Sequence, residues 1–303
     1  MFLEDAFEEY KYYCLARNFT DKTMKNKHQE YKQLKKYLTK KRSITKLEQI
    51  THHDLKAYVY QKQKSGLQPQ SIVSMAKQII AFFNWCVKEE YLMANPMDKV
   101  TLPKVPKKTK QGFTEDEVYR MIRCWSDKSY LEMRGKTMVA MMADLGLRAM
   151  EVRGMTVDDI RDTTILIRGK GNKERVVFAS HQLKRILVKY ERIRKQFLKS
   201  KGYDDPHYFL NYKGDPITHA TVHNIVKEAA DRTGVKDAHP HKFRHFYSTE
   251  VVSNTKANMD IYSLSRLLGH ADISTTQRYL QSLTDEKLKV KANSSSPLSK
   301  FRF

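Results

Sequence analysis

The chain has 303 residues, with 56 Lys or Arg against 34 Asp or Glu, and its net charge is +22. Such a charge attracts polyanions, but alone it excludes neither a ribosome-associated protein nor a protein of an anionic membrane surface. No segment approaches the roughly 20 apolar residues of a membrane span, and the acidic start MFLEDAFEEY is not that of a signal peptide.

The three cysteines, Cys14, Cys86 and Cys124, are far apart in the sequence and odd in number. They predict buried thiols in a reducing cytoplasm, and not a disulfide framework or a zinc site.

The length predicts two domains, and a change in composition marks where they meet. The sequence TLPKVPKKTKQG, residues 101–112, holds two prolines and little apolar character, and it follows the turn signal Asn95-Pro96. Both sides of this segment are basic, because residues 1–100 carry 18 basic and 11 acidic side chains out of the 56 and 34 in the whole chain. We therefore predict the following division: a helical domain over 1–103, a basic linker over 104–112, a second domain over 113–292 and a flexible tail over 293–303.

The first hundred residues predict four helices, because their apolar residues recur at helical spacing. Thr51 is the predicted cap of the third helix, which ends at Gly66, and the fourth runs from about Gln70 to Glu89. A basic face accompanies this pattern and is usually only solvated, but here it is the best candidate for contact with a polyanion. Its members are Lys22, Lys25, Lys32, Lys35, Lys36, Lys40, Lys41 and Arg42.

The second domain mixes helices with a few short strands. Thr114 begins a helix through a capping box, and a buried helix is predicted from Thr137 to Leu145. The segment TTILIRGKGNKERVVFA predicts two strands around a turn, and a long helix follows Ser180. A further hairpin is predicted in YFLNYKGDPIT, followed by four more helices. The predicted fold class is mainly α with a small antiparallel β-sheet, in two domains.

Six side chains of the second domain form a candidate site for phosphate chemistry. They are Arg148, Lys170, His241, Arg244, His270 and Tyr279. Arginine suits a phosphate because its planar fork binds two oxygens and stays charged. Lysine and histidine move protons, and a tyrosine oxygen can attack phosphorus and hold the product covalently.

Each of these residues also has a purely structural interpretation. An isolated arginine more often forms a salt bridge, and Glu151 could orient Arg148 or merely neutralise it. His241 and Arg244 stand three apart, which places both on one side of a helix. Lys170 lies on a turn between glycines, where Lys173 is its rival. Tyr279 is one of 17 tyrosines, so its position alone carries no weight.

The run HPHKFRH also suggests a metal site through His239, His241 and His245. No nearby Asp, Glu or Cys completes a ligand set there, and Lys242 and Arg244 would repel a cation. The sequence therefore predicts neither a metal nor another cofactor.

Four segments together resemble the tyrosine recombinases of the phage integrase family, most closely the Xer-like branch. They are LGLRAMEV, RGKGNKERVV, HPHKFRH and LLGHADISTTQRY, in the family's order. The resemblance is strong over residues 114–285, whereas over 1–100 only helical character and length agree. It implies a helical, SAM-like core-binding domain and a catalytic domain that form a C-shaped clamp around double-stranded DNA.

The resemblance also implies a role for each residue. Tyr279 would be the nucleophile, forming a 3′-phosphotyrosyl link and freeing a 5′-hydroxyl. Arg148 and Arg244 would bind the scissile phosphate, and Lys170 would protonate the leaving oxygen. The covalent link conserves the bond energy, so that no nucleotide cofactor is needed.

The two histidines and the assembly complete what the resemblance implies. His241 would assist the tyrosine as a base, and His270 would hydrogen-bond the phosphate. The family acts as a tetramer on two DNA sites and often passes its C-terminal segment to the adjacent subunit, which would give Phe301 and Phe303 a purpose. The task would be to integrate, excise or resolve DNA.

Three alternatives remain open at this point. One is a catalytically inactive protein that only occupies its DNA sites, although the complete residue set argues against it. Another is a type IB topoisomerase, which shares the chemistry but relaxes supercoils as a monomer. A basic RNA-associated protein is more distant, because it would need none of these residues in this order.

Overall fold

The structure is a computed structural model that describes residues 1–106, 112–162, 164–169, 173–202, 205–253, 259–270 and 272–280, with side chains up to 277. The chain divides into two compact units, Met1–Lys108 and Thr109–Phe303. The predicted tail, 293–303, lies outside the described residues, as does the middle of the predicted linker. Among the helices of the described part, none has both the length and the apolar character that crossing a membrane requires.

Over residues 1–106, the first unit contains four α-helices, as predicted. They are α1 (Leu3–Ala16), α2 (Asp21–Arg42), α3 (His52–Lys64) and α4 (Pro69–Lys88). Thr51 caps α3 as expected: its hydroxyl accepts the backbone N–H of Asp54, and the Asp54 carboxylate accepts the backbone N–H of Thr51 at 3.0 Å. The core lies along α4, where Ile79, Phe82 and Phe83 are fully buried. This unit is therefore held together by apolar packing between amphipathic helices.

In the described residues of the second unit there are eight α-helices and three strands. In chain order these are α5 (Glu115–Arg123), α6 (Tyr130–Leu145), α7 (Ala149–Gly154), β1 (Ile160–Arg161), β2 (Thr164–Arg168), β3 (Glu174–Phe178), α8 (His181–Lys201), α9 (His219–Thr233), α10 (Pro240–Ser253), α11 (Ile261–Leu268) and α12 (Ile273–Leu280). The strands form one antiparallel sheet in the order β1-β2-β3, with Ile165 opposite Val177 and Ile167 opposite Arg175. The predicted fold class is confirmed.

Helix α6 begins seven residues earlier than the sequence predicts. Ser129 caps it by accepting the backbone N–H of Glu132 at 3.3 Å. The predicted start at Thr137 was wrong because a glycine and charged residues interrupt the apolar pattern before it. Packing explains the glycine: a Cβ added at Gly135 would lie 2.7 Å from the Trp125 ring. The indole therefore occupies the place of a side chain.

The hairpin predicted over residues 208–218 is reduced to a single bridge between Leu210 and Pro216. The Asn211 side chain is the physical reason. Its Oδ1 accepts the backbone N–H groups of Lys213, Gly214 and Asp215 at 2.7, 3.0 and 3.1 Å. A side-chain-stabilised turn thus replaces the strand ladder. The two strands predicted around residues 169–173, the helix after Ser180 and the four final helices are confirmed.

Candidate active site

Arg148 and Arg244 come together at the C-terminal end of α11. Arg148 is the N-cap of α7, and Arg244 lies inside α10. Both donate to the carbonyl oxygen of Leu268, Arg148 from Nη1 at 3.5 Å and Arg244 from Nη2 at 2.6 Å. Because they share one acceptor, the two guanidinium groups lie side by side although 96 positions separate them in the chain.

The Arg244 guanidinium is fixed below the protein surface. The residue is 1 % exposed, and its Nη1 donates to the carbonyl of Gly146 at 2.8 Å. Gly146 ends α6 with a φ of +61°, and a Cβ there would lie 2.6 Å from the Tyr247 ring. Only glycine meets both conditions without strain. The end of α6 thereby supplies a carbonyl that anchors Arg244.

His270 follows α11 and lies against both Arg244 and α12. Its Nε2 is 2.9 Å from Arg244 Nη2, and its Nδ1 is 2.8 Å from the hydroxyl of Thr276, which is fully buried. A guanidinium only donates, so Nε2 accepts and the ring proton sits on Nδ1. Burial, followed by the charges of Arg244, Arg148, Arg175 and His241, lowers the pKa of His270 to about 4. The ring is therefore neutral at pH 7.

Glu151 connects Arg148 with an arginine that the sequence interpretation missed. Its Oε1 accepts from Arg148 Nη1 at 2.8 Å, while Arg175 donates to Oε1 and Oε2 at 2.8 and 2.9 Å. Glu151 Oε2 also accepts the backbone N–H of Arg148. The sequence left open whether Glu151 orients or neutralises Arg148; the structure shows an ion pair between them, in which Arg175 is a second cation on the same carboxylate.

A signal for Arg175 exists in the strand pattern. Arg175 and Val177 alternate with exposed neighbours on β3, so that both lie on its inward face. A charged residue on the inward face of a strand requires a partner. Thr276 was also missed, and its serine- and threonine-rich surroundings offer no comparable signal.

Burial raises the pKa of Glu151, but the hydrogen bonds and charge of Arg175, followed by those of Arg148, outweigh it and hold that pKa below the ordinary value. A carboxylate with a side chain only 3 % exposed thus stays ionised. The Arg148 side chain remains 41 % exposed, and it is the accessible one of the two arginines that contact Glu151.

His241 occupies the first turn of α10 and is exposed, while Arg244, three positions later, is buried. Lys170 lies outside the described residues. Next to the undescribed residues 170–172, the Gly169 N–H donates to the Lys173 carbonyl at 2.8 Å, and Lys173 itself is exposed.

Tyr279 belongs to the last turn of α12, and its side chain lies outside the described part. Thr276, three positions earlier, attaches α12 to His270. The helix that carries Tyr279 is therefore joined directly to the arginine cluster.

The alternative of a metal site finds no counterpart in the geometry of the described residues. Within the ranges given above, no three or more His, Cys, Asp or Glu side chains are arranged to hold an ion. This holds also for the three histidines that suggested a metal site: His239, which precedes α10, and His241 and His245, which lie on it.

The sequence matches two family models. That of the phage integrase family covers residues 111–286, and that of the phage integrase SAM-like domain covers residues 5–102. Tyrosine recombinase XerC of Lactobacillus leichmannii is 29 % identical over 296 residues, covering 94 % of this chain and 97 % of that protein. Tyrosine recombinase XerD of Halalkalibacterium halodurans is 27 % identical, covering 88 % of each.

Solved structures with low sequence identity share the fold. XerH site-specific recombinase in a post-cleavage complex with a palindromic difH substrate has a TM-score of 0.73 at 18 % identity, covering 92 % of this chain and 81 % of that one. A lambda integrase (75–356) dimer bound to a COC′ core site has a TM-score of 0.71 at 16 % identity, covering 92 % and 95 %. The chain therefore belongs to the phage integrase family and is a Xer-like tyrosine recombinase, an enzyme of site-specific recombination.

Proposed function

We propose that this recombinase cleaves and rejoins double-stranded DNA through a covalent bond to Tyr279. The phenolic oxygen attacks phosphorus, the bond to the 5′ oxygen breaks, and a 3′-phosphotyrosyl link forms. Attack by a 5′-hydroxyl from a second duplex reverses the step and exchanges the strands. One observation carries the proposal: Arg148, Arg244 and His270 converge at the end of α11, and Thr276 joins this cluster to the helix that holds Tyr279.

The scissile phosphate first meets Arg148, because its guanidinium is the exposed one. Arg148 has only one side-chain hydrogen bond to Glu151, and its fork can take a non-bridging oxygen. Attack places additional negative charge on these oxygens, and donors fixed in advance stabilise that charge. Arg148 is proposed to bind the phosphate in the ground state and more tightly in the transition state.

Arg244 reaches the phosphate through the hydrogen bond that it now gives to His270. A phosphate oxygen is a charged acceptor and competes favourably with the neutral Nε2 for the Nη2 proton. The displaced Nε2 then lies next to an anion, which favours its protonated form. In that state His270 donates to the phosphate, which is the role that the family resemblance assigns to it.

Lys170 and His241 complete the proton transfers. His241 takes the phenolic proton of Tyr279, a task that its exposed position at the start of α10 allows. Lys170 gives a proton to the departing 5′ oxygen, and the glycine on either side permits the close approach of its turn to DNA. The chemistry uses only these side chains, and we propose no metal or cofactor.

The basic face of α2 is the proposed DNA contact of the first unit. Seven of its eight members are exposed, and Lys35 is partly so. Lys36, Lys40 and Lys41 line a cleft of about 290 Å³ with Lys62 of α3. Within the described residues these three have no carboxylate at salt-bridge distance, so their charge is available to phosphates. We expect counterion release to dominate this part of the affinity.

The proposed assembly is a tetramer on two DNA sites, with the C-terminal tail exchanged between subunits. Phe301 and Phe303, the aromatic anchors predicted for that tail, lie outside the described residues. Deleting residues 293–303 would then lower the order of the DNA-bound assembly, as measured by light scattering. The proposed compartment is the cytoplasm, because Cys14, Cys86 and Cys124 are all free thiols. Cys14 and Cys86 are buried as predicted, whereas Cys124 is only half-buried.

A nicked suicide substrate tests the chemistry. Wild-type protein should accumulate a covalent DNA adduct, whereas Tyr279→Phe should bind the same DNA with unchanged affinity and form none. Tyr262→Phe is the matched control, because Tyr262 lies in the same unit, on α11, with 74 % of its surface exposed. An adduct formed by Tyr279→Phe would remove Tyr279 from the role.

A further inference from the structure

Arg175 is held between two of the elements that build the site. Its Nη1 and Nη2 form a bidentate pair with Glu151 of α7, and its Nε donates to the carbonyl of Leu267 at 2.7 Å. The side chain is 9 % exposed. A cation fixed by three hydrogen bonds beside the phosphate-binding groups, and not among the six proposed catalytic residues, calls for an explanation.

We infer that Arg175 is a positioning residue: by neutralising Glu151 it keeps the positive charge of Arg148 available for the scissile phosphate. The inference rests on the proposed function, since it gives Arg175 a task in the cleavage reaction. Arg175 does not touch the substrate: it acts through Glu151 and through the end of α11.

The division of hydrogen bonds around Glu151 supports this assignment. Arg175 engages both carboxylate oxygens from its terminal nitrogens, whereas the Arg148 side chain engages only Oε1. Two parallel charge-assisted hydrogen bonds are stronger and better directed than one. Arg175 is thus the main counterion of Glu151, and the Arg148 side chain binds only one of the two carboxylate oxygens, through Nη1.

Removing Arg175 would change which cation pairs with Glu151. The Glu151 side chain is 3 % exposed, and a buried carboxylate without its main counterion is costly. Arg148 is then the remaining guanidinium near it and is drawn into a closed pair. Its charge would be cancelled by Glu151 at the position where the phosphate needs it.

The hydrogen bond to Leu267 gives Arg175 a positioning effect in addition to this charge effect. The next carbonyl, that of Leu268, receives both Arg148 and Arg244. Gly269 passes so close that a Cβ there would lie 3.0 Å from Arg175 Cδ. Arg175 therefore fixes the end of α11 and Glu151 relative to each other.

The test compares Arg175→Gln with a double variant that also carries Glu151→Gln. We expect Arg175→Gln to cleave a suicide substrate about 10- to 100-fold more slowly at saturating DNA, with its DNA affinity nearly unchanged. The double variant lacks the uncompensated carboxylate, while the amide oxygen still accepts the backbone N–H of Arg148. Its cleavage rate should recover by about tenfold, which a merely structural loss would not allow.

Arg232→Gln is the matched control. Arg232 forms a bidentate pair with Glu132 at 2.8 and 2.6 Å in the same unit, and it stacks on Trp125. This variant should cleave at the wild-type rate. Arg175→Lys, which keeps the charge but loses the fork, should fall between wild type and Arg175→Gln.

Three results would overturn the inference. An Arg175→Gln rate equal to that of Arg232→Gln would show that Arg175 has no task in cleavage. A double variant as slow as Arg175→Gln would show that the loss does not pass through the charge of Glu151. Absence of any adduct with wild-type protein would overturn the proposed function and this inference with it, whereas the first two results leave the proposed function standing.

Discussion

The protonation state of His270 leads to a quantitative prediction. Its Nε2 accepts a hydrogen bond from Arg244 and its Nδ1 donates one to Thr276, so the folded protein stabilises the neutral form of the ring. Burial and the neighbouring charges lower its pKa from 6.5 to about 4. We expect ring resonances of His270, assigned by comparison with His270→Asn, to titrate near pH 4 in the DNA-free protein.

The same pKa difference sets a pH dependence of stability. Between pH 6.5 and 4 the unfolded chain holds a proton on His270 that the folded protein does not. The free energy of unfolding therefore falls as the pH is lowered through this window, and the contribution is fully present only above pH 6.5. At about 1.4 kcal/mol per pH unit, the loss over this window is about 3.5 kcal/mol.

Urea denaturation of wild type and His270→Asn at a series of pH values isolates this contribution. Asparagine keeps a donor and an acceptor but does not titrate, while the carboxylates of the chain affect both proteins alike. The wild-type free energy of unfolding minus that of His270→Asn should decrease by up to about 3.5 kcal/mol from pH 6.5 to 4. Parallel curves, or a ring that titrates near pH 6.5, would refute the assignment of a neutral, acceptor Nε2.

Two further predictions concern DNA. Arg148→Ala should lower the single-turnover cleavage rate about 10²- to 10³-fold while changing affinity little; a loss confined to affinity, measured by fluorescence anisotropy, would make Arg148 a simple DNA contact. Replacing Lys36, Lys40 and Lys41 by alanine should flatten the plot of log affinity against log salt concentration by about 0.9 for each lysine that contacts a phosphate; an unchanged slope would place the DNA on another surface.

The sequence predicted those parts of the fold that local chemistry determines. Thr51, Thr114 and Ser180 each accept a backbone N–H of the following helix, as their positions suggest. The start of α6 was missed because Gly135 is explained only by Trp125, which packs against it from ten positions earlier in the chain. Tertiary contact overrides the local pattern at such a position.

In the candidate site, too, only some of the features could be predicted from the sequence. The identities of Arg148, Arg244 and His270 were predicted, and the structure brings them together. Their mutual arrangement was not predictable, because its centre is the main-chain carbonyl of Leu268, and a backbone group leaves no mark in a sequence. Arg175 was missed for a related reason: its partner Glu151 lies 24 positions away on another element.

Arg148 and Arg244, the two arginines proposed to bind the phosphate, keep their charge uncompensated in two different ways. Arg244 donates to the carbonyls of Gly146 and Leu268 and to a neutral imidazole, acceptors that hold a cation without cancelling its charge. Arg148 instead adjoins a carboxylate, which Arg175 offsets. Three arginines and one glutamate thus leave a net charge of two at this edge. In the proposed reaction the phosphodiester carries one negative charge and gathers a second as the nucleophile attacks, so this net charge would match the transition state better than the ground state, which is the condition for catalysis.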